Sequence, residues 1–405
     1  MFGPSLHGLR FVPGILRGSG RAGCLPRPFF GSAPATEGRD SAGWVWRSAT
    51  ANVRPAFRLA PCLDTVSGMA PPLRAAVVGL GSMGANHVRV LADLPGVELV
   101  AVADSDPARV AHATQGRTFG GFADFAALLA ETHPDFVSIV VPTSLHEEIG
   151  LQALAAGASI LVEKPIAATL EGGRRLAEAA DARGLRLSVG HIERFNPAFR
   201  ELKARLAAGQ GGRVLKVHAR RVGPFPARIR DVGVIHDLAP HDIDVMRYLL
   251  DDEVERVYAE AQQRIHTENE DMFVGLLHFA GGAVGVLDIN WLTPRKERTL
   301  TVLCEGGMFV ADYIAQSLEF YENFAAKARE GAPATVTEGP MTRYPLVSRE
   351  PLRAELEAFR DAVLGVAPVA VTAVDGMAAL AVAEALVRSG ATRAPVAVPA
   401  LPAAP

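Results

Sequence analysis

One stretch, Gly79-Leu80-Gly81-Ser82-Met83-Gly84, constrains the fold of this 405-residue chain more than any other. A chain with 39 glycines will match G-x-G-x-x-G by chance, so the spacing alone carries little. The context carries more. The stretch closes the apolar run "RAAVVGL" (74–80) and opens the helix-like segment "SMGANHVRVLADL", and Asp104 follows twenty residues after Gly84, at the end of the next apolar run. Strand, glycine turn, helix, strand and acid in that order predict a dinucleotide-binding unit. Gly79 allows the tight turn, Gly81 lets the backbone approach a pyrophosphate, and Gly84 lets helix and strand pack closely. Ser82 and Met83 complete the loop, and the helix amino-terminus faces the phosphates. Asp104 can accept hydrogen bonds from both hydroxyls of an adenosine ribose and would repel a 2′-phosphate, which favours NAD. Ser105 beside it tolerates a phosphate and leaves NADP open.

The pattern continues along the first half. "VELVAVA" (97–103), "FVSIVV" (136–141), "SILVE" (159–163) and "RLSVG" (186–190) are short continuous apolar runs, separated by Ala/Leu/Glu-rich segments such as "LHEEIGLQALAAG". Strands buried on both faces and joined by helices predict a doubly wound parallel sheet with right-handed crossovers, a Rossmann domain over 73–192. In such a sheet the carboxyl ends of the strands face the ligand crevice. Lys164, directly after "LVE", is therefore expected to look toward the nicotinamide; the chain has only five Lys against 36 Arg.

Composition bounds the rest. With 49% hydrophobic residues, no apolar run of membrane-spanning length and a net charge of −3, the chain reads as soluble, with no general argument for nucleic acid or membranes. Residues 1–68 are the exception: eight Arg, no Lys and three acids, rich in Gly, Pro and Ser, without helical or strand period. They read as a disordered leader or as an extension outside the working protein, with Met69 just before the first strand. Cys24 and Cys62 lie there, which leaves Cys304 alone in "RTLTVLCEGG" as a strand residue, without a disulfide framework, in keeping with a cytoplasmic enzyme.

The segment "VIHDLAPHDIDVMRYL" (234–249) concentrates polar chemistry at a helix start. Pro240 is tolerated in a first turn, so the helix is expected to begin there, with Asp237 near the amino-cap and His241 just inside. Asp237 and His241 are four apart and share a face with Asp244 and Tyr248; Ile243, Met246 and Leu250 supply the buried stripe. His236 and His241 are five apart, a poor arrangement for a shared ion, and no cysteine is near, so no metal site is expected. A neutral imidazole at a helix amino-terminus suits proton removal from an alcohol. Around this segment Arg194, Arg220, Arg221, Arg228 and Arg230 gather beside the expected crevice. Paired guanidinium groups can hold phosphate oxygens, which fits a nucleotide sugar better than a neutral polyol, while structural ion pairs would explain the same residues.

The glycine loop, "VPTSLHEE", "LVEKPIA" and D-x-x-x-H together resemble the Gfo/Idh/MocA family over residues 73–395. That resemblance implies NAD(P)-dependent oxidoreductases acting on sugars, cyclitols and their derivatives. It implies a second α/β domain, 193–348, with a large, mostly antiparallel sheet, for which "RVLKVHARRV", "VERVYAEAQQRI", "MFVGLLHFA", "AVGVLDINWL" and "RTLTVLCEGG" supply alternating strands. Two helical segments over 349–395 then pack back on the core, and 396–405 form a tail. The resemblance further implies a catalytic set of Lys164, Asp237 and His241, and cofactor contacts at Pro142, Thr143, His146, Glu163 and Lys164. Ala239 stands where the family's motif has glycine, and its methyl is expected to narrow the space beside the substrate.

"RFNP" and "RRVGPFPARIRDVGV" are similar to the branch that oxidises the 3-hydroxyl of UDP-N-acetylglucosamine, which implies substrate contacts at Arg194, Asn196, Arg221 and Arg228. Family members form homodimers or homotetramers through the large sheet. The alternatives are an inositol or simple-sugar dehydrogenase of the same fold, and a non-catalytic NAD-binding sensor or scaffold.

Overall fold

The computed structural model describes residues 71–226, 232–265, 268–323 and 338–401. The leader, with Cys24 and Cys62, and the expected substrate contact Arg228 lie outside the described residues.

The apolar runs of the first half become strands β1 (Leu73–Val78), β2 (Val97–Ala103), β3 (Gly120–Phe122), β4 (Phe136–Ile139), β5 (Ser159–Glu163) and β6 (Leu187–Gly190). They form one parallel sheet in the order β3-β2-β1-β4-β5-β6. Helices α1 (Ser82–Leu91), α2 (Pro107–Thr114), α3 (Phe125–Thr132), α4 (His146–Ala155) and α5 (Leu170–Asp181) make the crossovers. Every residue of β4 and β6 is buried, as covering both faces of a sheet with helices requires. Strand order reverses between β1 and β4, and a crevice opens at the carboxyl ends there. The short β3 carries two glycines and leaves no apolar run to read in the sequence.

Beyond α6 (Pro197–Ala207), β7 (Val214–Val222) and α7 (Val234–Leu250) come β8 (Val254–Gln262), β9 (Met272–Phe279), β10 (Val284–Asn290), β11 (Glu297–Cys304), β12 (Gly307–Asp312), β13 (Ser317–Glu322) and β14 (Met341–Tyr344). The chain then runs through α8 (Pro351–Val363), α9 (Ala373–Thr392) and β15 (Val396–Ala397). A nine-stranded sheet results, in the order β14-β13-β12-β11-β7-β10-β9-β8-β15. It is antiparallel except for the β7–β10 pair.

Burial alternates along β9 and β12, so one face packs on a core and the other looks outward. The inner face meets α6, α7 and α9 around Phe199, Ile243, Met246, Phe273 and Leu386. Cys304 ends β11 inside this core, and burial pushes its thiol up to about 11, as befits a packing residue. Helix α8 returns to the first sheet's neighbourhood. Its Leu352, Leu356 and Phe359 pack against α1 and β4, with Phe359 edge-on to Phe136 at 5.4 Å.

Candidate active site

The crevice at the end of β1 encloses about 640 Å³ and is lined by Gly79, Gly81, Ser82, Met83, Asp104 and Pro142 among others. Its glycines have distinct duties. Gly79 has φ +90°, and a Cβ there would stand 2.3 Å from the Val140 carbonyl oxygen; a Cβ on Gly84 would stand 1.9 Å from the Gly79 oxygen. Gly81 has nothing within 4 Å of where its Cβ would be, so its backbone faces open space at the amino-terminus of α1. Asp104 Oδ2 accepts a hydrogen bond from Leu80 N (2.6 Å) and Oδ1 from Asp106 N (2.8 Å), which fixes the carboxylate at the end of β2. An open glycine backbone, an adjacent helix terminus and a carboxylate at the next strand end fit the diphosphate and ribose of a dinucleotide.

Three of the expected cofactor contacts stand differently. Thr143 opens the short 3-10 turn that follows Pro142. His146 is 1% exposed, with Nδ1 2.8 Å from Pro165 O and Nε2 2.9 Å from Val141 O. Burial keeps its ring below the usual imidazole range, so the neutral ring donates to only one of these carbonyls. It braces the loop after β5 rather than lining the crevice. The carboxylate of Glu163 is turned toward His87 (Nε2–Oε1 3.1 Å) and the Lys164 amide (3.3 Å). A carboxylate only accepts, so Nε2 of His87 carries a proton, and Nδ1 lies 2.7 Å from the Ser138 hydroxyl. This Ser138–His87–Glu163 chain escapes sequence reading because His87 sits in the apolar stripe of α1 with Gly84, Val88 and Leu91.

Helix α7 starts earlier than the position of Pro240 suggests. Gly233 is its N-cap, and Glu270 closes the free end by accepting from Val234 N (2.9 Å, main chain) and Ile235 N (3.1 Å, side chain). Pro240 therefore lies inside the helix, where it removes one amide donor, and Asp237 lies in the first turn without capping it. The Asp237 main chain serves another purpose. Lys164, projecting from the end of β5, places Nζ 2.6 Å from Asp237 O and 3.3 Å from Asp237 Oδ1. Two of the three ammonium protons are thereby directed at Asp237, and one is left for a third acceptor.

His241 follows one turn later, and its Nδ1 is buried without a hydrogen-bond partner among the described residues. Burial, then the charges of Lys164, Arg221, His191 and Arg298, hold its ring well below the usual imidazole range. The structure thus brings Lys164, Asp237 and His241 together and gives them a neutral imidazole beside a fixed ammonium. His191, the residue after β6, is 1% exposed with both ring nitrogens unpartnered among the described residues. The β5–β6 register, which pairs Glu163 with Gly190, sets it next to Lys164 at the strand ends.

The expected phosphate contacts are corrected by their partners. Arg194 forms a bidentate pair with Asp244 (2.7 and 2.7 Å) and reaches Asp375 at 2.9 Å. Burial alone would raise the Asp375 carboxyl, but the Arg194 charge and bond outweigh it and bring it to about 2. Arg221, 2% exposed, pairs with Asp242 (2.7 and 3.1 Å) and Glu193 (3.3 Å). Arg220 pairs with Asp288 and Glu297. Each of these guanidinium groups is held by two carboxylates, which compete with a phosphate for its N–H donors. Asn196 is also structural: its Oδ1 caps α6 at Ala198 N (3.1 Å) and its Nδ2 donates to Tyr313 O (3.0 Å). Ala239, 0% exposed, places its methyl in the core with Ile235 and Ile243, not beside a ligand.

Next to Asp237 a second pocket of about 350 Å³ is walled by Leu238, Phe225, Trp291, Lys296 and Arg298, with Arg221 at its base. Phe225 and Trp291 meet edge to face at 5.9 Å.

Comparison with known proteins shows what the chain as a whole is similar to. The family model described as "Oxidoreductase family, NAD-binding Rossmann fold" matches residues 73–191, and that of the GFO/IDH/MocA C-terminal domain matches residues 199–310. UDP-N-acetylglucosamine 3-dehydrogenase of Acidithiobacillus ferrooxidans is 31% identical over 312 residues, covering 77% of this chain and 95% of the relative. Inositol 2-dehydrogenase 1 of Saccharopolyspora erythraea is 30% identical over 340 residues, covering 80% and 96%. A solved structure of the Acidithiobacillus ferrooxidans enzyme superposes with a TM-score of 0.70 at 30% identity, over 78% of this chain and 97% of that one.

Proposed function

The chain belongs to the Gfo/Idh/MocA family of NAD-binding oxidoreductases, and from that premise we propose that it oxidises the 3-hydroxyl of UDP-N-acetylglucosamine to a ketone, with Lys164, Asp237 and His241 as its catalytic residues. The observation that carries the reading is the reach of Lys164 Nζ to Asp237 (2.6 and 3.3 Å) across two elements, beside an imidazole held neutral by its surroundings. His241 accepts the hydroxyl proton. Lys164 directs its remaining N–H at the same oxygen and stabilises the negative charge that develops there, as a preorganised donor. Asp237 holds that ammonium in place. NAD, held by the Gly79–Gly84 loop and Asp104, supplies the hydride acceptor when bound.

For the substrate, the support is a relative of that activity matched over 95% of its length. A polyol is the competing substrate, supported by the inositol dehydrogenase matched over 96%. The outward face of the large sheet exposes Val274, Leu276 and Val284, an apolar strip suited to pairing two copies of the chain, which light scattering would register as a dimer or tetramer and refute as a monomer.

Mixing the protein with NAD and either UDP-N-acetylglucosamine or myo-inositol, with an amino-acid donor such as glutamate and a sugar aminotransferase present to remove the ketone, separates the substrates. Nicotinamide reduction with the nucleotide sugar is expected. Reduction with inositol and none with the nucleotide sugar would overturn the substrate assignment.

A further inference from the structure

Lys296 and Arg298 differ from the two arginines nearest them in the sheet. Neither has a carboxylate partner among the described residues, whereas Arg220 and Arg221 beside them are each held by two. Lys296 immediately precedes β11 and Arg298 is its second residue, and both line the pocket next to Asp237. The sheet register sets Arg298 directly opposite Arg221, so like charges meet across strands, and the Asp242 and Glu193 carboxylates that hold Arg221 offset this only in part.

The strain registers in both groups. Arg298's charge, then burial, then Arg221 lower Lys296; burial followed by the Arg221 charge lowers Arg298 against the opposing pull of Glu193 and Asp242. Arg298 is half-buried and can offer its planar fork; Lys296 is exposed at the rim and acts as a mobile point charge.

We propose that Lys296 and Arg298 form the anion seat of the substrate pocket and take the phosphate oxygens of the nucleotide sugar. The sequence pointed to the neighbouring arginines for that role, of which Arg194, Arg220 and Arg221 are each held by two carboxylates. The seat rests on the nucleotide-sugar reading for its biological ligand. The pocket itself links Asp237 to β11, so a sugar presented to Lys164 and His241 extends its anionic substituent toward these two cations.

The test measures binding calorimetrically on NAD-saturated protein, so that the Gly79–Gly84 loop is occupied, with inorganic pyrophosphate, UDP and uridine as probes. The wild type is expected to bind pyrophosphate and to prefer UDP over uridine. Lys296→Gln/Arg298→Gln should weaken both phosphate ligands on the order of tenfold to a hundredfold, as loss of charged hydrogen bonds implies, and leave uridine and NAD unchanged. Each single variant gives a smaller loss and guards against misfolding, which altered NAD affinity would reveal. If both anions lose affinity in the variant but UDP-N-acetylglucosamine is never oxidised, the seat stands and the nucleotide-sugar reading falls. A wild type that binds neither anion, or a variant that binds both as the wild type does, overturns the seat.

Discussion

Replacing Arg221 by Met tests whether the arginines near the site hold substrate or hold the fold. The side chain is 2% exposed; it makes two bonds to Asp242 (2.7 and 3.1 Å), a third to Glu193, and stacks over the Tyr313 ring at 4.8 Å. Asp242 is itself 1% exposed, and its other neighbour is the Tyr313 hydroxyl. Methionine fills much of the volume but leaves a buried carboxylate without its counter-ion, which costs about 3–5 kcal/mol. At about 2 °C per kcal/mol for a chain of this size, Tm should fall by roughly 6–10 °C.

Arg221→Met/Asp242→Leu removes both charges together and should recover a large part of that loss, a coupling that a double-mutant cycle measures directly. Differential scanning calorimetry supplies the stability, and initial rates at a temperature where the variant is folded supply KM. The ion-pair account predicts a KM for the sugar close to that of the wild type. An unchanged Tm with KM raised tenfold or more would refute it and return Arg221 to the substrate.

Other perturbations probe separate parts of the account. His241 is held well below the usual imidazole range by burial and neighbouring cations, so it stays a competent base as pH falls. The acidic limb of kcat/KM should therefore lie below about 6.5, the unperturbed imidazole value, and a limb at or above it would contradict the assignment. His146, His191 and His241 are all lowered in the folded state. The unfolded chain then takes up protons first as pH falls through about 6.5, so stability should decline from there downward and be flat above it, in denaturant titrations across pH. Gly81→Ala adds a Cβ with open space around it, so stability should change by less than about 1 kcal/mol. Its NAD affinity should drop on the order of tenfold as the methyl crowds the diphosphate, and unaltered NAD binding would remove Gly81 from the cradle. Ala239→Gly removes a buried methyl from a helix interior and should cost about 1–2 kcal/mol with KM unchanged; a lowered KM at constant stability would restore the methyl to the substrate pocket.

Local chemistry was legible in the sequence where the backbone itself dictates it. The glycine loop needs a positive φ at Gly79 and a close approach at Gly84, so its composition gives its geometry away. Lys164 follows an apolar strand in a parallel sheet, which fixes the edge it emerges from. Long-range pairing hid the rest. The partner that saturates Arg194 is 50 residues away and that of Arg221 is 21 away, and no spacing rule distinguishes a filled guanidinium from a free one. The start of α7 depends on Glu270, a residue beyond the helix and a strand later, so Pro240 alone misplaced it. Lys296 and Arg298 escaped notice because their distinction is the lack of a partner, which only the fold reveals.

The claim at the centre is that His241 takes the hydroxyl proton while Lys164, held in place by Asp237, donates to the oxygen. Single-turnover nicotinamide reduction by His241→Ala, with NAD affinity measured on the same sample, tests it most directly. The account predicts a loss of about 10²–10⁴ in the chemical step with NAD bound as tightly as by the wild type. Turnover at the wild-type rate, or a rate lost only in proportion to lost NAD binding, would contradict it.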